Sequence, residues 1–213
     1  MPTAPVDIAS RIMPPASILA AVKQELPLFA PAQGMHEWAM SVFVEPDGIL
    51  HNPEHEHWAS MVKTVAWLWT SVLYAKGGRT VAGTCEEVMF RASKWQSGRQ
   101  EQQMLEWFGE VPDYLITLSA PVWLECDSAT RCGIVEHEMC HVGQMRDEFG
   151  APAYTKDGFP KIYLRPHDAE AFVTITERYG AGNAEGGVAR LVHAGSRAPS
   201  IAAADIAIAC GNG

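Results

Sequence analysis

Apolar side chains recur every three or four positions along two long stretches of the chain, which is the spacing of one helical face. The first stretch starts at Asn52, a good helix cap that precedes Pro53, and it stops before Gly77. Its regularly spaced apolar residues are Trp58, Met61, Val62, Val65, Leu68, Trp69 and Val72. The pattern predicts a core helix whose first turn carries solvated or capping polar groups, among them His55 and His57.

A second long helix is predicted from about Ala129 to Phe149. Asp127 or Ser128 can cap its start, and Gly150 and Pro152 prevent its continuation. Its apolar contacts would come from Ile134, Val135, Met139, Val142 and Met145. We expect this helix to be a central element of the domain.

Shorter runs rich in β-branched and aromatic residues predict strands, of which Tyr114–Leu118 is the clearest. Because this strand comes shortly before the second helix, we expect it to form the sheet edge on which an extended peptide lies. Further strands are predicted at residues 41–44, 80–84 and 161–164, and further helices at 17–25, 100–109 and 167–179. The expected fold class is α+β: a single domain with a small mixed or antiparallel sheet packed on helices.

Composition divides the chain into three regions. Residues 1–34 contain six prolines, which predicts a loosely attached arm that docks on the domain or on a partner. Residues 35–180 hold the predicted sheet and helices and form the domain. Residues 181–213 are rich in Ala and Gly and are expected to be peripheral, with residues 201–210 as a short docked helix or strand.

Charge and cysteine content limit the classes of partner. The 213-residue chain has a net charge of −9, from 16 basic and 25 acidic residues, so no nucleic acid is expected as the main partner. The apolar run Thr64–Ala75 is too short to cross a membrane, and the first thirty residues lack a signal-peptide pattern. The five cysteines suggest no disulfide framework. These features predict a cytoplasmic protein; they predict no oligomeric state.

The second helix contains the pattern His137-Glu138-x-x-His141. Positions four apart on a helix face the same way, so both imidazoles can reach one Zn²⁺ ion. Glu138 lies on the adjoining edge of that face, where a carboxylate can take a proton from water held at the metal. The pattern therefore predicts a zinc site with Glu138 as general base.

A catalytic zinc site needs a third protein ligand, and one short stretch offers three candidates. His167 is favoured, because three neutral imidazoles leave the full metal charge available to acidify water. Glu170 is the second candidate and Asp168 the third. The carboxylates that do not bind the metal could orient the histidines through their outer nitrogens.

Other assignments remain open for individual residues. Cys126 and Cys132 could complete a structural zinc site with the two motif histidines, but Glu138 would then have no role. Mn²⁺, Co²⁺ or Ni²⁺ could replace zinc in a site of this kind. Candidate oxyanion donors close by in the sequence are Tyr154, Tyr163 and Arg165.

The motifs together resemble one known family. The pattern around His137 and His141 is followed by Glu148–Pro152, and then by the segment Arg165–Phe172 with Arg178-Tyr179-Gly180. In this combination residues 35–180 resemble the putative phage metallopeptidase family, and the upstream Asn52–Trp58 segment is similar too. The resemblance implies a small zincin-like metalloprotein of phage or prophage type, more distantly similar to SprT-like proteases, that hydrolyses a protein or peptide substrate.

Two other functions compete with a peptidase. A non-catalytic zinc module, such as a phage accessory or anti-defence protein, would bind stoichiometric zinc without hydrolysing any substrate. Repair of DNA–protein crosslinks in the manner of SprT-like proteases would require a basic surface, which a net charge of −9 does not provide.

Overall fold

A mixed β-sheet organises the chain in the computed structural model, which describes residues 12–73, 75–76, 79–169, 173–201 and 209–210. The described strands are β1 Phe29–Pro31, β2 Val65–Thr70, β3 Ala75–Lys76, β4 Arg79–Glu87, β5 Tyr114–Ser119, β6 Val142–Gln144, β7 Ile162–Leu164 and β8 Ala209–Cys210. The described helices are α1 Ala16–Lys23, α2 Met35–Ala39, α3 Lys94–Phe108, α4 Ala120–Glu125, α5 Ser128–His141, α6 Val173–Tyr179 and α7 Gly187–Gly195. A π-helical turn, Met40–Val44, continues α2, and Pro53–Ala59 is a 3₁₀ helix.

The main sheet has the order β1-β2-β5-β4-β3, and β8 pairs with β4. Strands β2 and β5 run parallel in its centre, whereas β1 and β4 flank them in antiparallel orientation. A separate antiparallel pair is formed by β6 and β7. The α+β single-domain prediction is therefore confirmed.

Alternate residues of β2 pack on opposite faces of the sheet. Ala66 and Leu68 contact the small apolar cluster below α3, whereas Trp67 and Trp69 enter the main core. In that core Trp69 lies edge-to-face against Trp123, with ring centroids 5.1 Å apart. Helix α5 adds buried side chains to the same cluster and packs against β4.

The predicted helix from residue 52 to the glycines at 77–78 is wrong. Only Pro53–Ala59 is helical, as a 3₁₀ segment, and Val65–Thr70 is the strand β2. Because β2 is buried on both faces, it is apolar throughout and shows no alternation, and its residues also fit helical spacing. The capping role of Asn52 is confirmed, since its side chain accepts a hydrogen bond from the Glu54 amide.

Several shorter elements also differ from the prediction. Residues 41–44 are helical rather than a strand, and α3 begins at Lys94 rather than at residue 100. Helix α5 ends at His141 instead of Phe149, and Val142 begins β6. The strand at 114–118 lies between β2 and β4, so it is not the edge strand we expected for a peptide.

Short segments of both terminal regions pair with the main sheet. In the arm, Ile18 of α1 is fully buried, and β1 pairs with β2, so residues 16–31 dock on the domain. In the tail, α7 has no buried residue, whereas Ala209 and Cys210 pair with Val81 and Gly83 of β4. Among the described residues, no helix is both long and apolar enough to cross a membrane.

Candidate metal centre

Helix α5 is held in place at its start and along its apolar face. The Asp127 carboxylate caps it by accepting a hydrogen bond from the Thr130 amide at 2.8 Å, as the sequence predicted. Val135 and Met139 are fully buried in the main core, one turn apart. With this face fixed in the core, the helix turns His137 and His141 away from it.

Three imidazole rings meet at the C-terminal half of α5. The ring centroids are 5.2 Å apart for His137 and His141, 5.1 Å for His137 and His167, and 4.9 Å for His141 and His167. One nitrogen from each ring lies within 4.8 Å of the other two. Within the described residues, no other group of histidine, cysteine and carboxylate ligands is arranged this closely.

The donor set fits a divalent metal ion. Nε2 of His137 lies 3.1 Å from Nε2 of His167. Two nitrogens on a tetrahedral zinc ion are about 3.3 Å apart, given Zn–N distances of about 2.0–2.1 Å. Nδ1 of His141 donates to the Arg165 carbonyl oxygen at 2.7 Å, which leaves Nε2 of that ring with a lone pair. These rings can therefore serve as metal ligands with little rearrangement.

The cleft also favours the neutral imidazoles that a metal requires. Loss of hydration lowers the pKa of His137 to about 4, with smaller contributions from His141 and His167, although part of His137 remains exposed. Burial also lowers the pKa of His141, against the opposing effect of its hydrogen bond to Arg165. At neutral pH, both rings hold lone pairs rather than positive charge.

The other candidate ligands lie elsewhere. Asp168 accepts two hydrogen bonds from Nη2 of Arg165, at 2.8 and 2.9 Å, and does not belong to the histidine group. Glu170 lies outside the described residues. Cys132 packs in the main core, where burial raises the pKa of its thiol to about 11. Neither Cys132 nor Cys126 belongs to the group, which argues against the four-ligand structural site.

Glu138 is buried against the sheet. Its exposed fraction is 2%, and its Oε1 lies 2.7 Å from the point where a Cβ on Gly83 would stand. Only glycine leaves room on β4 for this carboxylate. The sequence predicted a strand over residues 80–84 but no contact between its glycine and Glu138.

Contrary to the prediction from the sequence pattern, the histidines of the Pro53–Ala59 segment are not solvated. His55 and His57 have exposed fractions of 1% and 8%, so they are buried rather than solvated. Both line a cavity of about 690 Å³ next to Cys140 and Arg165. The Arg165 guanidinium forms ion pairs with Glu54 and Asp168. A dense His/Glu cluster after an Asn-Pro cap was the signal that could have drawn attention to this segment.

Comparison with known proteins gives one family. The family model described as putative phage metallopeptidase matches residues 36–195, which include all three histidines and Glu138. No curated protein and no solved structure matches the chain.

Proposed function

The chain belongs to the putative phage metallopeptidase family, and from that membership we propose that it is a zinc-dependent peptidase. His137, His141 and His167 would hold the metal, and Glu138 would act as general base. The observation that carries the proposal is the meeting of the His167 imidazole with those of His137 and His141 on α5, the helix that also bears the buried Glu138. A set of three neutral nitrogen ligands is typical of catalytic zinc sites.

The chemistry would be the hydrolysis of a peptide bond. When bound, Zn²⁺ supplies a Lewis acid that polarises the substrate carbonyl and lowers the pKa of the attacking water. Glu138 accepts the proton from that water and then delivers it to the nitrogen of the leaving amine. The hydrogen bond from His141 to the Arg165 carbonyl keeps the ring oriented throughout.

We propose that the substrate is a protein segment in extended form that lies beside β4. This strand runs past Glu138 at Gly83, and β8 pairs with its outer edge at Val81 and Gly83. Within the described residues, no strand pairs with that edge beyond Gly83, over residues 84–87. Strand addition to such an edge uses main-chain hydrogen bonds and tolerates many sequences. We place the reaction in the cytoplasm of a bacterial host, in keeping with the free thiols of Cys132 and Cys140.

The test replaces Glu138 with Gln, which has nearly the same shape but cannot accept the proton. Zinc-loaded parent protein should cleave members of a peptide library, whereas Glu138→Gln should retain one zinc ion per chain and lose at least about 100-fold in rate. Mass spectrometry measures cleavage and atomic absorption measures zinc.

Two results would contradict the proposal. Equal cleavage by Glu138→Gln and the parent would exclude Glu138 as the base. Stoichiometric zinc with no hydrolysis of any peptide or protein by the parent would favour the non-catalytic module instead.

A further inference from the structure

The segment Asn52–His57 carries polar side chains that have no role in the proposed reaction. Most of them contact residues that lie within two positions of His137, His141 or His167 in the sequence. Nδ2 of Asn52 donates to Oε1 of Glu136 at 2.7 Å, and Nε2 of His55 lies 3.7 Å from the same oxygen. Glu136 immediately precedes His137 on α5. One end of the segment is thus fixed to the residue before a ligand.

The other end of the segment is fixed to the residue after a ligand. Nε2 of His57 lies 2.7 Å from the carbonyl oxygen of Val142, which follows His141. Val142 is fully buried, and His57 is nearly so. Breaking this contact would be costly. The buried carbonyl oxygen would then have neither the imidazole nor water as a hydrogen-bond partner.

Glu54 reaches the remaining ligand through Arg165. Nη1 of Arg165 donates to Oε1 of Glu54 at 2.8 Å, while its Nη2 donates to Asp168, the neighbour of His167. The main chain of Arg165 bonds to His141 twice: its amide donates to the His141 carbonyl at 2.7 Å, and its carbonyl accepts from Nδ1. Arg165 therefore joins Glu54 to both His141 and His167.

Close packing of β6 and β7 makes this arrangement possible. A Cβ on Gly143 would stand 3.0 Å from Cβ of Arg165 and 3.2 Å from Cε1 of Tyr163. The absence of a side chain at Gly143 lets Arg165 lie directly over the end of α5. Its guanidinium then spans the gap between Glu54 and Asp168.

We propose that four side chains of this segment, those of Asn52, Glu54, His55 and His57, position the three histidines through Glu136, Val142 and Arg165. The inference rests on the proposed metal site and deepens it: these residues orient the ligands and touch neither substrate nor metal. Contacts beyond the ligands commonly change metal affinity by about 10–100-fold, because they fix each ring at the angle that binding requires.

Positioning can be separated from ordinary stabilisation because the link through Glu54 is partly exposed. The Glu54 side chain is 48% exposed, and ion pairs at such positions add little to folding stability. Removing this pair should therefore leave the fold intact. The loss of orientation at His141 and His167 should instead appear in metal binding.

The experiment compares Glu54→Gln with Glu56→Gln in the full chain. Glu56 lies in the same segment and is exposed, and its carboxylate has no hydrogen bond or ion pair within the described part of the chain. Zinc affinity is measured by chelator competition, and the geometry of the site by the visible absorption of bound Co²⁺. We expect Glu54→Gln to weaken zinc binding about 10-fold and to change the Co²⁺ spectrum, and Glu56→Gln to do neither.

Substitutions of Arg165 extend the comparison. Arg165→Lys keeps the charge but cannot hold both carboxylates in the planar fork of a guanidinium, and Arg165→Met removes the charge as well. Zinc affinity should fall in the order parent, Arg165→Lys, Arg165→Met. Thermal unfolding of the metal-free variants checks that each remains folded.

The outcomes distinguish this inference from the proposed function. If the parent binds zinc and Glu54→Gln and Glu56→Gln match it in affinity and in Co²⁺ spectrum, the positioning role is wrong while the metal site stands. If Glu54→Gln weakens binding only in proportion to a loss of folded protein, the role is structural and the inference fails. If the parent binds no metal, the proposed function fails and the positioning role fails with it.

Discussion

At the scale of single residues, the contact between Gly83 and Glu138 links the sheet to the proposed base. The nearest atoms to an added Cβ at Gly83 are those of the flexible Glu138 side chain, from Oε1 at 2.7 Å to Cγ at 3.0 Å. A methyl group there would displace the carboxylate rather than the backbone. Such a change should therefore affect the rate of the proposed reaction more than the stability of the fold.

Gly83→Ala should therefore lower peptide hydrolysis by at least about 10-fold while zinc still binds, since a displaced general base loses most of its contribution. Gly98→Ala is the control, because Gly98 lies within α3 and has no atom within 4 Å of an added Cβ. That change should leave hydrolysis unaltered and slightly favour the helix. Unaltered hydrolysis in Gly83→Ala would indicate that Glu138 does not act as the general base.

Acid should destabilise the metal-free protein through His57. Burial lowers the folded-state pKa of this imidazole below its unfolded value near 6.5. As the pH falls below about 6.5, the unfolded chain therefore binds more protons than the folded chain. The contribution of neutral His57 to the free energy of unfolding is fully present above this pH and is progressively lost below it. His137 and His141 shift in the same direction.

The measurement is the free energy of unfolding by urea between pH 7.5 and pH 5. We expect it to fall with pH in the parent and to fall less steeply in His57→Gln, whose amide can still donate to Val142. His193→Gln, at an exposed position on α7, should follow the parent. A slope in His57→Gln as steep as that of the parent would show that His57 does not cause the loss.

Spacing in the sequence identified His137, Glu138 and His141, because a helical pattern is a local property. The sequence favoured His167 over Glu170 and Asp168 by ligand chemistry alone, since the partners that decide between such residues come from distant parts of the chain. The contact between His167 and His137, which lie thirty positions apart, is an example. Burial of His55 is also set by tertiary packing and was missed for the same reason.

At the scale of elements, β2 is the main disagreement between pattern and structure. A helix over residues 52–76 would place Val62 and Trp69 together on its apolar face. In the structure Val62 is 57% exposed, whereas Trp69 is 1% exposed in the centre of the sheet. A strand covered on both faces has a continuous apolar sequence, as a buried helix can have. Its position in the sheet, and not its sequence pattern, distinguishes it from such a helix.

The two positions should respond differently to truncation. Trp69→Ala removes a ring that packs against Trp123 and should lower the free energy of unfolding by about 3–5 kcal/mol. Val62→Ala should change it by no more than about 0.5 kcal/mol. Chemical denaturation of both variants measures the difference, and comparable losses would favour the helix that the sequence pattern predicted.

The end of α5 is a second case in which packing overrides the local signal. Gly150 and Pro152 indicated a later stop, but Val142 turns into the core as the first residue of β6. The His141 carbonyl then accepts a hydrogen bond from the Arg165 amide on the chain that follows β7. Ending the helix here brings the loop that carries His167 next to the other two histidines.

At the scale of the whole molecule, the α+β class followed from the mixture of strand and helix patterns, whereas the parallel pair β2 and β5 could not be predicted. Pairing of these strands joins residues about fifty positions apart and depends on the core between them. The proposed metal site has the same character: His167 lies thirty residues from His137, yet their Nε2 atoms are 3.1 Å apart.

Because the site joins distant parts of the chain, metal binding should stabilise the whole domain. Free zinc at 100 times its dissociation constant should raise the free energy of unfolding by about 2.7 kcal/mol, provided that the unfolded chain does not bind it. Thermal unfolding with zinc and with excess chelator measures this effect. His167→Ala should reduce the difference, and an equal shift in that variant would indicate binding elsewhere.

The central claim is that three imidazoles hold one metal ion beside Glu138, and X-ray absorption spectroscopy at the zinc edge tests it most directly. The full chain loaded with one equivalent of zinc should show three imidazole nitrogens at about 2.0–2.1 Å and one further light ligand, and His167→Ala should show two imidazoles. A sulfur ligand at about 2.3 Å, or an unchanged imidazole count in His167→Ala, would contradict the account.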